Sequence, residues 1–319
     1  MRPPVATLPR PNVEDGRPRR VGIEVECGGL DEDRVAAIVA ECLGGEVVHS
    51  GEYQRRVEGT RIGSIEILLD TALRDRAGTS IARAGLDLGR AVIPVEFVTE
   101  PILPAEIVGI DALCRALAEA GATGTQDGIA LGFGLHLNVA LTGTLPRDIL
   151  PVLRAFALTE DWLRTHMGLD PSRRVLPFVD PYPAGFVDRL CSDAAAQWSM
   201  DDLARVYLDE AGSRNHALDL LPILKHLDPA RVEAAIPAMR HKSGRPAWHY
   251  RLPDCRIDDP AWSIAGEWAR WCRIERLAHD HATLARLIAR WRAYRDRPIP
   301  VPGRWAGLSG EIVEEVWDA

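Results

Sequence analysis

Apolar and polar residues alternate with a period of two over Val21-Gly22-Ile23-Glu24-Val25-Glu26, the spacing of a strand whose side chains point to opposite faces in turn. Val21, Ile23 and Val25 fall on one face, and Gly22, Glu24 and Glu26 on the other. Two carboxylates two residues apart on one strand face repel each other unless water or a cation separates them. Such paired acids are natural ligands for a hard cation such as Mg²⁺. Taken alone, the stretch equally describes the solvated face of an amphipathic strand. The pattern returns four times, however. Glu66 and Asp70 oppose Ile65, Ile67 and Leu69, and Glu96 opposes Val95 and Phe97. Gly134, His136 and Asn138 oppose Phe133, Leu135, Leu137 and Val139, and His249 and Arg251 share a face in 248–252. Acids, two imidazoles, an amide and an arginine, with glycines leaving room at positions 22 and 134, suit a site for metal and phosphate.

The remaining periodicity predicts further elements. Asp31 caps a helix to about Leu43, with Val35, Ile38, Val39 and Cys42 as its apolar stripe and Gly44-Gly45 ending it. Strands are expected near 46–49, 52–57, 62–70, 93–99, 131–141 and 247–252, and helices over 79–91, 104–120, 146–166 (one or two), 200–211, 216–227 and 229–239. One or two long amphipathic helices span 260–294, placing His279-Asp280-His281 on a helix surface. Strands gathered early and helices late predict an α+β fold with a mostly antiparallel sheet. Residues 1–20 form a flexible or surface-hugging arm. Residues 21–255 form the main domain, with a helical insertion at about 146–240, and 256–319 form a helical segment packing on it.

Composition narrows the chemistry. The chain has 319 residues, is 46% hydrophobic and 26% charged, and carries a net charge of −8. These are the proportions of a globular protein, and the acidic balance gives no basis for a nucleic-acid partner. Six scattered cysteines form no C-x-x-C pair, so neither a structural zinc site nor a disulfide framework is expected. No apolar run approaches a membrane span of about 20 residues, and the first twenty residues lack a secretory core; a cytoplasmic location is the expectation. There is no Walker motif, dinucleotide fingerprint, H-E-x-x-H or G-x-S-x-G.

The segments Gly22–Glu26, Val95–Pro101, Gly132–Asn138, Ser213–Pro222 and Arg245–Pro253, in this order and spacing, resemble the successive motifs of the amidoligase family. That family is related to glutamine synthetase and the glutamate–cysteine ligases. The resemblance covers roughly residues 20–275. It implies a glutamine synthetase-like catalytic fold, in which the concave face of a curved antiparallel sheet holds ATP and Mg²⁺, or Mn²⁺. By the same resemblance Glu24, Glu26, Glu96 and His136 are metal ligands. Asn138 stands beside them, and Arg214 and Arg251 contact phosphate or a substrate carboxylate. His249 stands where the wider superfamily carries a glutamate; it can still bind a metal but removes a negative charge. The implied reaction joins a carboxylate and an amine on amino acids or peptides, through an acyl phosphate. Glu100 or Asp70 is the candidate for the amine's general base, Glu66 and Asp70 are second choices for the site, and a homo-oligomer is compatible with the superfamily. Two other readings remain open from the residues: a metal-dependent hydrolase using the same face, and a non-catalytic nucleotide- or peptide-binding protein.

Overall fold

The computed structural model describes residues 5–51, 53–69, 94–125, 132–169, 179–297 and 303–317. The helix expected over 79–91, Asp70, and residues 126–131 and 170–178 lie outside them. Among the described residues the strands are β1 (Val21–Cys27), β2 (Glu46–Gly51), β3 (Gln54–Thr60), β4 (Gly63–Leu69), β5 (Val95–Thr99), β6 (Leu135–Ala140), β7 (Leu218–Asp219) and β8 (Ala247–Tyr250). They form one sheet in the order β2-β3-β4-β5-β1-β6-β8-β7, with every neighbouring pair antiparallel. The fold is α+β, as the pattern predicts, and the first strand lies at the centre of the sheet.

One sheet face is the core. Val21, Ile23, Val25 and Cys27 of β1 are fully buried, as are Ile65, Ile67, Phe97, Leu135 and Leu137 on its neighbours. Helix α1 (Glu32–Leu43) packs on β3 and β4 and against α2 (Ile107–Glu119). Asp31 caps α1 by accepting from Arg34 N at 2.8 Å. Helix α3 (Pro146–His166) is single and sets Phe156 against Tyr250 of β8. Helix α8 (Ile264–His279) sets Trp271 against both Trp248 and Tyr250. Trp248 and Tyr250 thus face the helices, which turns His249 to the other side.

Between β6 and β8 the chain also builds α4 (Ala184–Leu190), α5 (Met200–Ala211), α6 (Leu221–Leu227) and α7 (Pro229–Ala235). Three expectations need correction here. The helix read over 216–227 opens instead with β7, because Leu218 and Asp219 pair with β8 and the helix begins only at Leu221, next to Pro222. The helix over 229–239 stops at Ala235, because Pro237 drives Ile236 to an extended φ of −133°; a 3-10 turn follows. Helix α4 has no counterpart among the predicted elements. The long C-terminal pattern divides at Asp280, which accepts from Thr283 N at 3.1 Å and caps α9 (His281–Arg295). His279-Asp280-His281 is therefore a helix junction, not a helix surface. Helix α10 (Arg304–Trp317) packs on α3 and α9.

Of the two alternatives for the N-terminal segment, residues 5–20 lie against the domain. Leu8 is buried, and Arg19 and Glu275 of α8 form a two-pronged ion pair at 2.7 and 2.6 Å with both side chains 1% exposed. Arg19 also donates to the carbonyls of Ala140 and Arg10, and Trp271 Nε1 donates to Glu275. Removing one partner would leave the other charge buried and unpaired. Glu275→Ala is therefore expected to cost about 3–5 kcal/mol in urea unfolding; a loss below about 1 kcal/mol would show that the pair does not anchor the segment.

Candidate functional site

Strand register decides which polar side chains meet. Residues directly opposite in an antiparallel pair share a face. Glu26 lies opposite Glu96, Glu24 opposite His136, Gly22 opposite Asn138, and Asn138 opposite His249. The adjacent strands β5-β1-β6-β8 thus bring Glu24, Glu26, Glu96, His136, Asn138 and His249 together on the face away from the helical core. A Cβ at Gly22 would meet the Asn138 Cβ at 3.4 Å, an ordinary van der Waals contact. Glu66 shares the face two strands from Glu24, but it pairs with Arg56 where both side chains are exposed and stays out of the cluster. Glu100 is exposed beyond β5.

Glu24 holds the centre. Its Oε2 lies 3.0 Å from His136 Nδ1, and its Oε1 accepts from Asn138 Nδ2 at 2.6 Å and from Arg245 Nη2 at 3.5 Å. Burial alone would raise its carboxyl, but the hydrogen bond from His136, with the Arg245 guanidinium nearby, outweighs burial and holds it well below the usual carboxylate range. Glu24 is therefore ionised and accepts only. It follows that His136 carries its proton on Nδ1, and that the Asn138 amide turns its nitrogen to Glu24. Asn138 Oδ1 must then accept from His249 Nδ1 at 2.8 Å. Burial pushes the His249 imidazole well below its ordinary range, so it is neutral. The His249 ring is left with an unprotonated Nε2.

The same face makes a place for a cation. His136 Nε2 faces Glu26 Oε1 at 3.9 Å. The other Glu26 oxygen accepts from Gly134 N at 2.7 Å. Glu26, Glu96 and His136 each bring a ligand atom within 4.8 Å of the others, and so do Glu24, His136 and His249. Two carboxylates and an imidazole suit Mg²⁺ or Mn²⁺. In the first group Glu24 orients the imidazole through its other nitrogen, as carboxylates commonly do behind metal-bound histidine.

The arginines are arranged less simply. Arg251 donates Nη1 to the backbone carbonyl of Arg214, which joins the two beside β8. Two further residues were not assigned a role from sequence. Arg245 reaches Glu24, and it continues the odd-numbered positions of His249 and Arg251, so extending the alternation upstream would have found it. Asp219 lies opposite His249 on β7 and is buried; burial raises its carboxyl, while a hydrogen bond from Leu221 N and the nearby Arg251 and Arg214 oppose the shift. It returns a carboxyl group to the row where His249 supplies none.

An open antiparallel sheet whose one face gathers acids, imidazoles and arginines defines a class of sheet-platform sites able to hold a cation together with an anion. Within it the chain is specific: residues 17–273 match the family described as "Putative amidoligase enzyme", and the chain belongs to that family. No curated protein and no solved structure matches it. Among the described residues no helix is long and apolar enough to cross a membrane.

Calorimetric titration with Mn²⁺ tests the cluster. Glu26→Gln, Glu96→Gln and His136→Gln are each expected to weaken binding by about tenfold or more, and affinities unchanged in all three would exclude the triad.

Proposed function

We propose that the chain is an ATP- and Mg²⁺-dependent carboxylate–amine ligase that forms an amide bond on an amino acid or peptide substrate through an acyl phosphate. The observation that carries this reading is the convergence of Glu26, Glu96 and His136 on one sheet face, in a chain of the amidoligase family. A divalent ion bound there supplies charge neutralisation to phosphate oxygens and holds attacking and leaving oxygens in line.

The chain's own residues do the rest. Glu26, Glu96 and His136 fix the ion's position, and Glu24 fixes His136. Glu24 and Asn138 together hold His249 in one orientation, with Nε2 unprotonated. Arg214 and Arg251 border the site on the β8 side, where guanidinium groups stabilise charge on a transferring phosphoryl group or orient the substrate carboxylate. The substrate carboxylate attacks the terminal phosphorus, ADP leaves, and the amine then displaces phosphate from the acyl carbon.

The test is ADP release from Mg²⁺-ATP in the presence of pooled amino acids and short peptides. ADP formation is expected to require both a carboxylate and an amine, and to fall to background in the Glu24→Gln/Glu26→Gln double variant. Release of free amine and acid from an amide without ATP would instead identify a metal-dependent hydrolase.

A further inference from the structure

The arginines bordering the acidic face are not held alike. Arg251 has Nη1 committed to the Arg214 carbonyl. Arg245 rests on a single long hydrogen bond, 3.5 Å from Nη2 to Glu24 Oε1. That carboxylate is already held more closely by Asn138 at 2.6 Å and His136 at 3.0 Å. The other near neighbour of Nη2 is His249 Nδ1 at 3.4 Å. Since His249 Nδ1 donates its proton to Asn138, that contact joins two donors and holds nothing. Arg245 Nε is shut away from solvent with no hydrogen-bond partner, and among the described residues Nη1 has no recorded acceptor. A buried donor without an acceptor is a cost that a new partner relieves.

The base of this side chain is fixed. Arg245 N donates to Pro222 O at 2.9 Å, and its carbonyl accepts from Ala247 N at 2.9 Å. Gly244 before it packs so closely that a Cβ there would lie 2.4 Å from His226 N. The tip is different, with the Arg245 side chain 41% exposed at the edge of the site. A pinned backbone and a loosely held guanidinium beside an acidic, cation-binding face form an arm that can turn from Glu24 to a ligand.

We propose that Arg245 is the oxyanion-gripping residue of this site. It leaves Glu24 to pair, through its planar fork, with a ligand oxyanion: a phosphate of the nucleotide or the carboxylate of the substrate. Glu24 keeps its two shorter donors when the arm turns, so the imidazoles stay oriented. This assignment rests on the ligase reading for the identity of the ligands, and on the geometry alone for the capture of an oxyanion.

The test is calorimetric titration of wild type, Arg245→Ala and Arg245→Lys with Mg²⁺-ATP, with Mg²⁺-pyrophosphate and with L-glutamate, using Mn²⁺ affinity and the melting temperature as controls. The expected result is a loss of tenfold or more in Arg245→Ala for at least one oxyanion, partly recovered by Arg245→Lys, with Mn²⁺ affinity within twofold of wild type. Loss for ATP and pyrophosphate identifies phosphate as the partner; loss for glutamate alone identifies the carboxylate. Three results overturn the proposal: wild type binds none of the three, Arg245→Ala binds them as tightly as wild type, or Mn²⁺ affinity falls in parallel, which would make Arg245 a support for Glu24. Oxyanion binding that depends on Arg245, in a protein that releases no ADP with any substrate pool, would leave this assignment standing and remove the ligase reading.

Discussion

Glu24 accepts from His136, Asn138 and Arg245 at once, and the chemistry of the whole face follows from that convergence. An ionised carboxylate can only accept, so the direction of every hydrogen bond around it is fixed. The direction passes to His136 directly and to His249 through the Asn138 amide. His136 then turns its Nε2 to Glu26 across 3.9 Å. With Glu96 beside them, these groups can share a cation. In this account Glu24 is a positioning group for the Glu26–Glu96–His136 cluster, a different duty from the ligand role that the family resemblance gives it.

The sheet makes this convergence possible. β1 is flanked by β5 and β6, with β8 one strand further, so four strands distant in sequence deliver side chains to one patch. The opposite face is sealed by α1, α3 and α8 and by aromatic contacts from Trp271 and Phe156. A one-residue slip of β1 would bury its acids and expose its core residues. The buried Arg19–Glu275 pair ties the segment leading into β1 to α8. The site therefore stands on a packed support, with Arg245 as the loosely held side chain at its margin.

Much of this was legible in the chain because alternation is a local signal. The faces of β1, β4, β5, β6 and β8 follow from a period of two, and the antiparallel α+β class from the order of the elements. Register is not local, which is why Glu66 reads like Glu96 in sequence although it ends in a surface pair with Arg56. Arg245 shared the parity of His249 and Arg251 but lies two residues before β8 begins. Asp219 was hidden in an apolar run, 216–227, that reads as a helix until pairing with β8 claims its first residues. Asp280 looked like a helix surface because its role, capping α9, depends on a chain break that periodicity does not mark.

The central claim is that the hydrogen-bond network fixes the tautomers of two imidazoles, and ¹⁵N NMR of histidine-labelled protein reads tautomers directly. Signals for His136 and His249 would be assigned by difference from His136→Gln and His249→Gln. The account predicts a proton on Nδ1 of both rings, a neutral His249 at pH 7, and a perturbation of the His136 Nε2 signal on adding Mg²⁺. An unprotonated Nδ1 on His136 or on His249 would contradict it.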